Sequence, residues 1–181
     1  MKARKVAARV AERHPGVLLW CPQLPPSPRQ ALAQVLDGTA DWPAERMAVI
    51  GSSLGGFYAS AVAAERGCRA ALVNPAVAPA RDLARYIGEQ TQWHDPAERF
   101  FFQPAFIDEL DAIATRTRAL EGTAPPPTFA LIAKGDEVLD WREMVARYPS
   151  AAIRLLEGGD HAVSDFDDHI DALFAFLDLA A

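Results

Sequence analysis

The chain has 181 residues, half of them apolar and 23% charged, with a formal net charge of −6. That size suits one folded domain with its own core, and the apolar content excludes a disordered chain. The negative balance excludes a protein that works by neutralising nucleic-acid phosphates, which requires clustered Lys and Arg.

Lys2, Arg4, Lys5, Arg9 and Arg13 surround Ala3, Val6, Ala7 and Val10 at helical spacing. This predicts a short amphipathic surface helix rather than a targeting peptide. Val17-Leu-Leu-Trp-Cys21, bounded by Pro15-Gly16 and Pro22, is a continuous apolar run that predicts a strand buried on both faces. Four prolines in 22–28 predict an extended loop, followed by a helix over 29–36 that stops at Asp37-Gly38. Residues 46–50 read as the next strand. Leu54, Phe57, Tyr58, Ala61 and Val62 then form a helical face ending at Gly67, and 70–73 returns to strand.

From 79 to 127 the pattern is irregular, with helical pieces at 81–87 and 107–120 and the aromatic run Phe100-Phe101-Phe102. The expectation is a lid-like insertion in which Trp93, Phe100, Phe101, Phe102 and Phe106 wall an apolar pocket. Residues 128–133, 142–148, 152–156 and 166–177 give strand, helix, strand, helix. This alternation predicts an α/β fold: a mostly parallel sheet with helices on both faces and ligand sites at the carboxyl ends of its strands. No secretory or membrane-length apolar run occurs, so neither export nor a membrane partner is expected. Cys21 and Cys68 adjoin strand-like runs and read as reduced core thiols of a cytoplasmic protein.

Gly51-Ser52-Ser53-Leu54-Gly55 fits G-x-S-x-G between a strand and a helix. Such a nucleophile elbow turns sharply, so the residues two before and two after the serine must be small, a condition that Gly51 and Gly55 meet and that Ile50 and Leu54 deny to Ser52. The turn exposes the Ser53 hydroxyl and aims the Leu54 backbone N–H, at a helix N-terminus, toward a developing oxyanion. A serine hydroxyl is a weak nucleophile until an imidazole takes its proton and a carboxylate holds that imidazole. Among four histidines, His161 alone follows a strand closely, in Leu156-Glu-Gly-Gly-Asp-His161; His14 ends a helix, His94 is in the insertion, and His169 lies off the apolar face of the last helix. Asp136, Glu137 and Asp140 compete as the acid, and Asp136 is favoured because it comes first after the glycine turn of Lys134-Gly135-Asp136. The order serine, acid, histidine is that of the α/β-hydrolases. No CxxC, HExxH or aspartate-rich calcium loop occurs, and Gly51–Gly56 lacks a P-loop lysine, so no metal or other cofactor is expected.

In several blocks the chain resembles the small bacterial YqiA-like esterases of the α/β-hydrolase superfamily: Pro22-Gln-Leu-Pro-Pro26, Val49-Ile-Gly-Ser-Ser-Leu-Gly-Gly-Phe-Tyr58, Val73-Asn-Pro-Ala-Val77, Tyr86-Ile-Gly-Glu89, Gly135-Asp-Glu-Val-Leu-Asp140 and Glu157-Gly-Gly-Asp-His161. The resemblance implies an α/β-hydrolase fold over the whole chain and cofactor-free esterase activity on short acyl esters. It implies Ser53, His161 and Asp136 as nucleophile, base and orienting acid, with a small ester as partner. The chain departs from that family at its start, where members carry a strand and a His-Gly-Phe loop that supplies a second oxyanion donor. In the family that strand lies between those corresponding to 17–21 and 46–50. The expectation is therefore a defect in the sheet at that place, or direct pairing of the two segments, with self-association through the exposed edge. Two rival functions stay open: a catalytically impaired relic serving as a binding module, and a thioesterase using the same three residues.

Overall fold

The computed structural model describes residues 2–91, 99–122 and 124–179. Helix α1 (Lys2–Arg13) turns Val6 and Val10 inward, as its spacing predicts. Helix α2 (Pro28–Gly38) begins at Ser27, whose hydroxyl accepts from Gln30 N–H at 3.3 Å, and Pro28 occupies the first turn, where no N–H is needed. Strand β1 (Ala48–Ser52) leads directly into α3 (Leu54–Arg66), which Gly67 ends in the left-handed conformation. Then follow β2 (Arg69–Val73), α4 (Pro79–Leu83), β3 (Gly88–Thr91), β4 (Arg99–Phe102), α5 (Ala105–Glu121), β5 (Thr128–Ala133), α6 (Trp141–Arg147), β6 (Ala152–Leu156) and α7 (Ile170–Leu177).

Four strands form a parallel sheet in the order β1-β2-β5-β6. Successive side chains of a strand face opposite ways, and β2 divides its residues accordingly. Ala70 and Leu72 join Phe57, Val62 and Leu110 on one face, while Ala71 and Val73 join Val6, Val10, Ile170 and Leu173 on the other. Strand β5 repeats the division, with Ile132 packed on Met144 of α6 and Leu131 on the α1 and α7 side. The sheet is thereby covered on both faces, which explains why its central strands read as unbroken apolar runs. All of its strands end, at their carboxyl edge, in the turns that carry the candidate site.

Several expectations require correction. Residues 17–21 have no ladder partner among the described residues, and Leu18, Leu19 and Trp20 are 73%, 40% and 39% exposed, so this run is not a doubly buried strand. Cys21 is exposed and only Cys68 is a core thiol; both are free. Between 17–21 and β1 lies an apolar groove of about 380 Å³, lined by Val17, Leu19 and Trp20 on one side and by Val49, Ile50 and Gly51 on the other. Among the described residues β1 is thus an edge strand, hydrogen-bonded to β2 alone, with no strand at its second neighbour position. This is the sheet defect anticipated from the sequence.

The insertion also differs from its sequence reading. Phe100–Phe102 are part of β4, which pairs antiparallel with β3 in a separate hairpin. Phe102 and Phe106 are buried edge to face against each other in the core shared with α3, Phe100 packs beside them, and Phe101 is exposed. Phe100, Phe102 and Phe106 anchor the insertion to the core, and α5 packs on α2, α3 and α4. Trp93 and His94 lie outside the described residues. His169 is buried at the start of α7, with Nε2 3.2 Å from Asp165, rather than lying away from the packed face.

Candidate active site

Ser53 sits between the last residue of β1 and the first of α3 with φ 55° and ψ −125°. A positive φ is costly for a residue with a side chain and persists only when the surroundings hold it. Here the Ser53 N–H donates to the Val73 carbonyl at 3.0 Å, and the Ser53 carbonyl accepts from Gly56, Phe57 and Ala76 N–H. The turn is tight enough that a Cβ at position 51 would lie 2.0 Å from the Gly55 carbonyl oxygen and 2.8 Å from Ala59 Cβ. Position 55 does not share this constraint: a Cβ there meets nothing within 4 Å. The second close approach belongs instead to Gly56, whose Cβ would lie 2.9 Å from Pro75.

The turns after β5 and β6 meet above the same edge of the sheet. Lys134 N–H donates to the Leu156 carbonyl at 3.0 Å, and a Cβ at Gly135 would lie 2.2 Å from the Gly159 carbonyl oxygen, so the two turns touch backbone to backbone. This contact brings Asp136 and His161 together. His161 Nδ1 is 2.8 Å from Asp136 Oδ2 and Nε2 is 2.9 Å from Ser53 Oγ. A carboxylate only accepts, so Nδ1 carries the proton and Nε2 is free to accept from the Ser53 hydroxyl. The Asp136 side chain is shielded from solvent, and its other oxygen accepts from Val138 and Leu139 N–H, each at 2.8 Å. Both carboxylate oxygens are therefore occupied, which fixes the plane of the group.

The two competing acids are engaged elsewhere. Glu137 accepts from the His161 backbone N–H at 2.9 Å, and Asp140 caps α6 by accepting from Arg142 N–H. The His161 N–H bond draws the Glu137 carboxyl below its ordinary range, and the Ser164 hydroxyl does the same for Asp160. Lys2, at the start of α1, has its ammonium pushed down by burial, with Asp160 and Asp136 pulling it back up. Leu54 opens α3, so its N–H has no carbonyl one turn earlier within the helix and lies at the positive end of the helix dipole.

A further residue at this edge carries no catalytic motif in the sequence. Asn74 follows β2, is fully buried, and has φ 41°. Its signal in the sequence is faint: an asparagine before proline at the end of an apolar strand, a residue type that tolerates positive φ.

Residues 1–178 match the family described as Uncharacterised protein family (UPF0227). Among solved structures, the chain is similar to Est1E from Butyrivibrio proteoclasticus at 15% identity, covering 83% of this chain and 69% of that one, with a TM-score of 0.63. It is also similar to alpha/beta hydrolase domain-containing protein 10 from mouse, at 20% identity, 84% and 70% coverage and a TM-score of 0.57. A third similar structure is a Paleococcus ferrophilus monoacylglycerol lipase, at 15% identity, 83% and 76% coverage and a TM-score of 0.58. The fold is that of the α/β-hydrolases.

Proposed function

We propose, for a chain that belongs to the UPF0227 family of YqiA-like proteins, the hydrolysis of short-chain carboxylic esters through an acyl-enzyme on Ser53. The observation that carries this reading is the unbroken hydrogen-bonded line from Ser53 through His161 to Asp136. Ser53 Oγ attacks the ester carbonyl carbon while its proton passes to His161 Nε2. Asp136 holds Nδ1–H and stabilises the imidazolium, and the oxyanion accepts from Leu54 N–H at the start of α3. Collapse breaks the bond to the alcohol, which leaves with the proton from Nε2. Water then enters by the reverse sequence, releasing the acid and restoring the serine. No cofactor takes part. Est1E, a lipase and an alpha/beta hydrolase domain protein share this fold, which favours the reading.

The test is hydrolysis of p-nitrophenyl acetate by the parent chain and by Ser53→Ala. Activity in the parent and none in a folded Ser53→Ala supports the reading, and retained activity in the variant removes it. A parallel assay with an acyl thioester assigns the preferred leaving group. A second reading, a binding module on the same fold, is favoured by the apolar groove beside β1. Under it the same edge serves self-association, and a folded, inert parent is the expected result. Two free cysteines agree with work in the reducing cytoplasm. No helix among the described residues is long and apolar enough to cross a membrane.

A further inference from the structure

The residue between β2 and Pro75 is bonded to each part of the site. Asn74 is wholly buried, and its side chain makes three hydrogen bonds, with both Nδ2 hydrogens and Oδ1 engaged. Oδ1 accepts from Ala133 N–H at 2.8 Å. Nδ2 donates to the carbonyls of Asp160 at 3.1 Å and His161 at 3.2 Å. The amide orientation follows from the partners, because an N–H must face oxygen and two carbonyls must face nitrogen. Ala133 ends β5, and its carbonyl accepts from Asp136 N–H, so the Oδ1 bond reaches the turn of the acid. The two Nδ2 bonds reach the turn of the base. The backbone on either side of Asn74 holds the nucleophile: Val73 accepts from Ser53 N–H and Ala76 donates to the Ser53 carbonyl, each at 3.0 Å.

We propose that Asn74 is a positioning residue whose buried side-chain amide sets the His161 turn against the Asp136 turn; the proposal rests on reading Ser53, His161 and Asp136 as one reacting line. In this geometry one side chain bonds to both turns at once. The imidazole has little positional tolerance, since it must meet an acid at 2.8 Å and a hydroxyl at 2.9 Å together. A turn displaced by an ångström loses one of those contacts. Glu137 grips the same His161 backbone from the opposite side through its N–H, but from an exposed position. Asn74 provides the shielded half of that grip.

The experiment compares the parent with Asn74→Gly and Asn74→Asp. Glycine keeps the positive φ without strain and removes all three side-chain bonds. Aspartate retains an acceptor for Ala133 N–H but donates nothing to the two carbonyls. The expected result for Asn74→Gly, assayed on p-nitrophenyl acetate well below its melting temperature, is a fall in kcat of about 10- to 100-fold with KM nearly unchanged. The low-field proton resonance of the His161 Nδ1–H, present in the parent, should broaden or vanish. Asn74→Asp should show the same direction. A folded Asn74→Gly or Asn74→Asp with parental kcat and an unaltered imidazole resonance overturns the proposal, since a merely structural role would lower the melting temperature and leave both in place. If the parent itself neither hydrolyses the ester nor reacts at Ser53, the hydrolase reading fails. The proton resonance then still decides the positioning claim. If neither variant folds, hydrogen exchange on the parent decides. Asn74 side-chain protons that persist in heavy water support the proposed grip on the His161 turn, and protons lost at once overturn it.

Discussion

Single methyl groups at positions 51 and 55 should have opposite consequences. A Cβ at 51 would collide with the Gly55 carbonyl oxygen at 2.0 Å, so Gly51→Ala must move backbone and should cost both stability and ester hydrolysis. Gly55→Ala has open space and should fold with the parental melting temperature. Thermal melts of the two variants check this, and equal losses would show that the turn differs from the one described. Asp136→Asn should leave the fold intact and lower kcat on the order of 10⁴-fold, because an amide permits the wrong imidazole tautomer. A change confined to KM would contradict that role. At this scale the meeting of Ser53, His161 and Asp136 at one edge of the sheet was legible in the sequence, because each follows a strand within a short turn. The sequence was misleading at Gly55, because G-x-S-x-G names the motif's glycine while the close contact falls on Gly56. Asn74 was illegible because its partners lie 59 to 87 residues away.

The His161 turn is held by two carboxylates, Glu137 on the His161 N–H and Asp160 on the Ser164 N–H and hydroxyl. Both titrate below their ordinary values of 4.5 and 3.8, respectively through the His161 N–H bond and the Ser164 hydroxyl bond. A lowered carboxylate pKa lends stability that is fully present above the unfolded value and is lost as pH falls through the folded one. Glu137 is exposed and Asp160 half-buried, so the effect is local and largely screened. The protection factors of the His161 and Ser164 amides, taken against their intrinsic exchange rates at each pH, should therefore stay constant from neutrality down to those ordinary values and fall only below them. Loss of protection near neutral pH would contradict the assignment. Elsewhere, Ser27 caps α2 and also donates to Glu109 of α5 at 2.7 Å, so Ser27→Ala should cost about 1–2 kcal/mol in urea unfolding. The helices and central strands were readable because their apolar periods matched the faces they bury. The β3–β4 hairpin was not: Gly-Glu-Gln-Thr has little strand character, and its pairing supplies what propensity lacks. Residues 17–21 failed in the other direction, since an apolar run becomes a strand only with a neighbour to bond.

For the molecule as a whole, the open position beside β1 is the main departure from a closed fold. An edge strand with free N–H and C=O groups, next to an apolar groove rimmed by Leu18 and Trp20, is a template for another strand. Sedimentation should show concentration-dependent association that Leu18→Glu weakens while the melting temperature is unchanged. A parent that stays monomeric at every concentration would contradict self-association through this edge. The resemblance made this feature legible, because it supplied the strand order that periodicity alone cannot give. The central claim, however, is that Ser53 is an activated nucleophile, and labelling by a fluorophosphonate followed by peptide mass spectrometry tests it most directly. The account predicts a single adduct on Ser53, formed by the parent and not by His161→Ala; a folded parent that gains no adduct, or gains it at another residue, would contradict it.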